Sequence, residues 1–236
     1  VAFVFAKVET NSLNLKHNCE ICGMSALIVA STEMEITPFR NQFPDAACLI
    51  TGVGMPMAIF QLTKKLQERN YDVIFQVGIA GTYSNELHLG DAVVVAKDCF
   101  ADLGLCEGNS FQSIFDMGFA SPDDFPFSKG WLVNNSLHLF HPLPAMVSAA
   151  TVNTVSDERQ PQLNNKIKAE ASIETMEGAC LHYVAMQHAI PFLQIRGISN
   201  VVGERDKSLW KIAEAIQSSN QLFAEIYKKW MANSKA

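Results

Sequence analysis

Short apolar runs of strand type alternate along this chain with stretches whose apolar residues recur every three or four positions, and that alternation most narrows its possible folds. Residues 25–30, 47–51, 73–79, 92–96 and 192–198 read as buried strands. The first three end in small or polar residues: Ser31-Thr32, then Gly52-Val-Gly54-Met-Pro56, then Gly78-Ile-Ala-Gly81-Thr82. Ser31 or Thr32 can cap the helix expected from Glu33. Pro56 suits the first turn of the next helix, whose Ile59, Leu62 and Leu66 share one face. Strand character returns over 145–155 and a helix is expected over 175–188. A last helix from near Lys207 carries Leu209, Ile212, Ile216, Phe223, Ile226 and Trp230 on one stripe. This order predicts an α/β fold, a three-layer α/β/α sandwich around a central mixed β-sheet. Over 99–144 the periodicity fades among prolines and aromatic residues, as expected of an insertion or lid and not of a second domain.

With 236 residues, 48% of them hydrophobic, the chain can bury a full core, and residues 24–236 are expected to form a single domain. A net charge of −6 with dispersed Lys and Arg argues against a nucleic-acid partner, which needs a clustered basic surface. No apolar run approaches the roughly 20 residues that span a bilayer, so no membrane association is expected. Cys48, Cys99 and Cys180 stand singly in apolar context, as in reduced cytoplasmic proteins. Residues 1–23 read as an N-terminal extension with no catalytic task. Their apolar start is too short for a secretory signal and runs into Lys7 and Glu9. His17, Cys19 and Cys22 suggest a zinc set, but no second pair completes four ligands, so no metal is expected.

Polar side chains gather at the edges of apolar structure in two places near the end, Glu174-Thr175-Met176-Glu177-Gly178-Ala179 and Arg196-Gly197-Ile198-Ser199-Asn200. In an α/β domain ligands bind beyond the carboxyl ends of strands, so Arg196, Ser199 and Asn200 should face a crevice that Glu177 also reaches. Taken singly, these residues have plainer uses. Glu35 and Glu177 can favour a helix dipole, Met176 can fill a core, Arg196 can form a structural ion pair and Asn200 can cap local backbone.

Taken together, Ile28-Val-Ala-Ser-Thr-Glu33-Met-Glu35, Gly78-Ile-Ala-Gly81, Met176-Glu177-Gly178-Ala179 and Arg196-Gly-Ile-Ser199-Asn200 resemble, in order and spacing, the purine nucleoside phosphorylase and hydrolase superfamily. Within it, Glu-Thr-Met-Glu-Gly and Ile-Ser-Asn-Val-Val-Gly-Glu-Arg-Asp are most similar to the futalosine hydrolase family. That family removes hypoxanthine from futalosine on a route to menaquinone. The resemblance covers the chain from about Met24 and implies an N-glycosyl hydrolase without metal or organic cofactor, acting on a small-molecule purine nucleoside, in the cytoplasm, as a homo-oligomer of two or more copies.

Cleaving a purine N-glycosidic bond develops positive charge on the ribose and negative charge on the departing base, so both ends must be stabilised. By resemblance, Glu177 serves the ribose side with Met176 against the sugar, and Glu35 deprotonates the attacking water. Ser199 and Arg196 support the arrangement; Ala80, Gly81 and Val155 complete the substrate site. Asn200 stands where methylthioadenosine nucleosidases carry Asp. Its amide can donate to a 6-oxo group while its carbonyl accepts from protonated N7, which favours hypoxanthine over adenine. The Gly52-Val-Gly54-Met-Pro56-Met57 turn is similar to a phosphate-binding loop, but Met57 stands where phosphorylases offer Ser, and Glu35 would repel phosphate. Water is therefore the expected nucleophile, although Arg40 could serve as an anion ligand. Phe111, Phe115, Phe119 and Trp131 are expected to wall the far end of the substrate and Lys129 to pair with its carboxylate. The alternatives are a methylthioadenosine or adenosylhomocysteine nucleosidase, a purine nucleoside phosphorylase, and a non-catalytic nucleoside-binding protein. A chain shortened to start at Met24 is expected to keep full turnover; folded but inactive protein would contradict this.

Overall fold

The computed structural model describes residues 25–108, 110–155 and 161–233. His17, Cys19, Cys22 and Met24 lie outside the described residues, as does the question of a separate extension. The chain runs β1 (Ala26–Ala30), α1 (Glu33–Gln42), β2 (Cys48–Ile50), α2 (Met55–Glu68), β3 (Val73–Thr82) and β4 (Ala92–Asp98). It continues through β5 (Gly104–Glu107), β6 (Ser110–Ser113), β7 (Leu132–Val133), β8 (Met146–Thr151), α3 (Pro161–Glu170) and β9 (Ile173–Thr175). It ends with α4 (Gly178–Gln187), β10 (Phe192–Val201) and α5 (Ile212–Asn233).

The length of β3 decides the topology. Its first half pairs in parallel with β1, which carries β2 on its far edge, while β10 runs parallel along its other side. β1 then stops, and the freed end of β3 pairs antiparallel with β9 through Gly81 and Thr82. β10 pairs antiparallel with β4, β4 runs parallel to β8, and β8 runs parallel to β9. Strands β3, β10, β4, β8 and β9 thus close on themselves in a ring. The sheet is mixed, as expected, but its closure was not legible in the hydrophobic pattern. Three boundaries also shift: the strand expected over 145–155 spans Met146–Thr151, residues 173–175 are strand so that the helix expected from 175 starts at Gly178, and a 3-10 turn at Lys207–Leu209 precedes the last helix.

Alternate strand residues point to opposite faces, and the core divides accordingly. Ile28, Val73, Phe75, Leu193 and Ile195 pack with Ile36 and Phe39 of α1 and with Phe223, Tyr227 and Trp230 of α5. Leu27, Val29, Ile74 and Phe192 pack with Leu62 and Leu66 of α2 and with Leu181, Val184 and Ala185 of α4. Phe39 and Phe223 stack with ring centroids 4.3 Å apart, and truncating either to Ala would cost about 3–5 kcal/mol.

Where the ring closes, polar side chains are buried. Asp98 Oδ1 accepts from the Cys99 amide at 2.8 Å and from Thr151 Oγ1 at 2.9 Å. With its amide oriented to satisfy its neighbours, Gln194 donates to Asp98 Oδ2 at 3.3 Å and to His182 Nε2 at 2.8 Å, and accepts from Arg196 Nε at 3.1 Å. Arg196 Nη2 donates to Gln76 Oε1 at 2.8 Å, and His182 Nδ1 donates to the Leu132 carbonyl at 2.9 Å. Burial pushes the Asp98 carboxyl up to about 7, against the pull of Thr151, the Cys99 amide and Arg196. Burial likewise pushes His182 down to about 4.

These two groups oppose each other in acid. Between pH 4 and 6.5 the unfolded chain has an ionised Asp98 and a protonated His182, whereas the folded chain holds Asp98 protonated and His182 neutral. The Asp98 contribution to stability falls as pH rises through this window and that of His182 grows, each by up to about 1.4 kcal/mol per pH unit. In Asp98→Asn the His182 slope is unopposed, so the melting temperature should climb more steeply from pH 4.5 to 6.5 than in the parent. Parallel melting curves by scanning fluorimetry would contradict this.

Candidate active site

A cavity of about 480 Å³ opens at the carboxyl ends of β1, β3 and β10 and is lined by Glu35, Ala80, Gly81, Met176, Glu177, Ser199, Asn200 and Val155, among others. Glu35 reaches it through the start of α1. Thr32 is the N-cap: its hydroxyl accepts from the Glu35 amide at 3.4 Å, and the Glu35 carboxylate accepts from the Thr32 amide and hydroxyl, both at 2.9 Å. Because β3 outruns β1, the Ile79 amide has no strand partner on that edge and donates to Glu35 Oε1 at 3.1 Å. Glu35 is thereby buried at 6% exposure, held by three donors and facing the cavity.

Gly78 is needed at this crossing. A Cβ there would lie 2.7 Å from Glu35 Oε1 and still closer to Arg196 Nη1. Arg196 itself is 1% exposed, bound to Gln76 and Gln194, and absent from the cavity wall. The expectation that Arg196 faces the crevice as part of the substrate site is therefore corrected. The side chain points into the polar interior of the ring and stands behind Glu35, since strand alternation turns it away from the open end.

Glu177 is the N-cap of α4, with a non-helical φ of −137°. Its Oε1 accepts from the Gly54 amide at 2.7 Å. Gly54 is the N-cap of α2 and has φ 98°, a left-handed conformation that side chains disfavour. The glycine turn thus gives a backbone donor to a carboxylate of the protein. Pro56, in the first turn of α2, has no N–H to add.

Ser199 and Asn200 both line the cavity although neighbours in a strand normally face opposite ways. A β-bulge between Ile198 and Asn200 explains it. Ser199 Oγ lies 2.8 Å from Asn200 Oδ1 and 3.1 Å from the Ala80 carbonyl, and Asn200 Nδ2 lies 3.1 Å from the Val201 carbonyl. The turn after β8 is tethered: the Asn153 amide donates to Asp102 Oδ2 at 2.7 Å, and Arg205 Nη2 donates to the Val155 carbonyl at 3.1 Å.

Several wall residues had been given no part in the site from sequence, among them Glu174, Arg205, Lys207 and Trp210. Glu174 is 4% exposed and accepts from the Tyr83 hydroxyl. Strand alternation would have given it a face had residues 173–175 been read as a strand. Conversely, Phe111, Phe115, Lys129 and Trp131 surround a different cavity of about 280 Å³ that shares no lining residue with the first. Phe119 is exposed and borders neither. Arg40 is paired with Glu33 at 2.5 Å, also away from the cavity. Among the described residues, no three His, Cys, Asp or Glu gather as a metal site, and no helix is long and apolar enough to cross a membrane.

Residues 43–231 match the model of the phosphorylase superfamily. The chain is 28% identical over 173 residues to the futalosine hydrolase of Streptomyces coelicolor, covering 72% of each. It is 23% identical over 221 residues to the 5'-methylthioadenosine/S-adenosylhomocysteine nucleosidase of Tolumonas auensis, covering 89% of this chain and 92% of that one. The solved structure of the futalosine hydrolase of Helicobacter pylori superposes with a TM-score of 0.71 at 16% identity, covering 87% of this chain and 98% of that one; it shares the fold.

The crossing at Gly78 makes a test of the site. Gly78→Ala should displace Glu35 and Arg196; if Glu35 is a reacting group, a displacement of about 1 Å lowers kcat about 100-fold. Circular dichroism should show the fold retained. Full turnover in a folded variant would dissociate Glu35 from catalysis.

Proposed function

The chain belongs to the phosphorylase superfamily, and on that premise we propose that it is a nucleosidase that hydrolyses the N-glycosidic bond of futalosine and releases hypoxanthine. The observation that carries the reading is the pair of buried carboxylates, Glu35 and Glu177, on the wall of one cavity, with the glycine-turn amide already taken by Glu177. Glu177 stabilises the ribose hydroxyls and the positive charge growing on the sugar, and Met176 packs against it. Glu35 accepts a proton from water as the water oxygen bonds to the anomeric carbon. The electron pair of the broken carbon–nitrogen bond leaves with the base, which takes up a proton. Arg196 acts through Glu35 as a positioning residue.

Two features support a 6-oxopurine. Asn200 can donate to O6 and accept from protonated N7. Glu174 and Asn200 are both in register with Gly81 on its two neighbouring strands, so their side chains share one face. A carboxylate there suits the N1–H of hypoxanthine and opposes the N1 lone pair of adenine. That disfavours the methylthioadenosine alternative. Phosphate is disfavoured too, since the Gly54 amide is engaged, Pro56 offers no donor and Arg40 is paired. The presence of both carboxylates argues against a silent binding protein.

This reading extends to a nucleoside phosphorylase-like three-layer domain over residues 24–236, supported by helix pairs on both sheet faces. It extends also to a cytoplasmic homo-oligomer serving menaquinone biosynthesis. The test is hypoxanthine release in phosphate-free buffer, with futalosine, inosine and methylthioadenosine in competition. Futalosine should be preferred and added phosphate should leave the rate unchanged. Strict phosphate dependence would reject hydrolysis, and preference for methylthioadenosine would reject the 6-oxopurine assignment.

A further inference from the structure

We propose that Ser31 is an additional catalytic residue that holds the attacking water against Glu35; the inference rests on the hydrolytic reading above. Ser31 follows the last residue of β1, is 4% exposed and forms part of the cavity wall. Among the described residues its Oγ is the buried side-chain oxygen or nitrogen left with no hydrogen-bond partner. The reason lies in the next residue. Thr32 takes the helix cap and both of its donors go to Glu35, so the neighbouring hydroxyl is spared from the helix. Meanwhile the Ser31 carbonyl accepts from the Gly52 amide at 3.1 Å, on the same turn whose Gly54 amide holds Glu177.

Ser31 therefore stands at the junction between α1, which carries Glu35, and the glycine turn, which holds Glu177. Oγ is enclosed in the wall, and a buried hydroxyl without a partner is unfavourable, with few left in native proteins. The role of Ser31 therefore includes a turn of its side chain to a rotamer that brings Oγ to the cavity Ser31 lines, where an entering group supplies the missing bond. Water suits the position. To attack, it must donate both protons elsewhere and aim a lone pair at the anomeric carbon. Glu35 accepts the proton that is transferred, and Ser31 Oγ accepts a hydrogen bond from the other O–H, which stays on the oxygen. The oxygen–carbon bond forms, the carbon–nitrogen bond breaks toward the base, and the retained O–H becomes the new hydroxyl of the sugar. A ribose hydroxyl at Ser31 would instead contribute to substrate binding.

The experiment compares wild type and Ser31→Ala in phosphate-free hydrolysis of futalosine, with melting temperatures measured alongside. Removing an unpaired buried hydroxyl should leave the melting temperature equal or higher, while kcat falls about 10- to 100-fold and KM changes less than twofold. Wild-type kcat in the variant would overturn the proposal, as would a loss carried by KM, or a loss matched by a lower melting temperature. If wild type itself released no hypoxanthine without phosphate, the hydrolytic reading would fail and this inference with it. Wild-type activity indifferent to Ser31→Ala would remove the inference alone.

Discussion

The hydrogen bond from the Ile79 amide to Glu35 exists because β3 continues past the end of β1, and much of the rest follows from that overhang. A strand edge left without a neighbour must satisfy its backbone donors elsewhere. Here one part of the edge is given to a side chain and the next part to β9. The same few residues therefore anchor a carboxylate, close the ring and form the floor between Asn200 and Glu174. α1 is tied in by this contact as well as by its apolar packing, and Asn220 of α5 adds a second tie by bonding to the Glu35 carbonyl and the Phe39 amide.

Behind the cavity, the buried polar chain through Asp98, Gln194 and Arg196 links the two carboxylate positions. On one side Arg196 Nη1 and Glu35 Oε1 flank the space that a Gly78 Cβ would fill. On the other, Thr151 accepts from the Ala179 amide at 2.8 Å and Thr175 from the Gly178 amide at 3.2 Å, which fixes the first turn of α4 just after Glu177. Gly178 has no side chain because Asp98 and Gln194 crowd the space a Cβ would fill. Low dielectric strengthens such a network when every member is paired.

How much of this could be read in advance differs residue by residue. The strands at 25–30, 73–79 and 192–198 announced themselves because buried parallel strands are apolar on both faces. Glu35, Glu177 and Asn200 were named from the motif resemblance and do line one cavity. Arg196 was misjudged because alternation gives a face but not whether that face is open or closed into a ring. Ser31 and Thr32 were equal candidates for the helix cap, since either hydroxyl can serve; only the backbone geometry separates them. The aromatic insertion has the right residue types for a pocket, and it builds one, but residues distant in sequence decide that it is another pocket.

The union of Gly54 with Glu177 carries a consequence for how such a catalyst could change over time. Its donor belongs to the main chain, so replacing the neighbouring side chains leaves the bond intact. Val53 and Met57, both nearly half exposed, contribute no atom to it. On the hydrolytic reading proposed above, part of the preference for water over phosphate is then lodged in the path of the polypeptide. It would be inherited through extensive divergence of the residues around it.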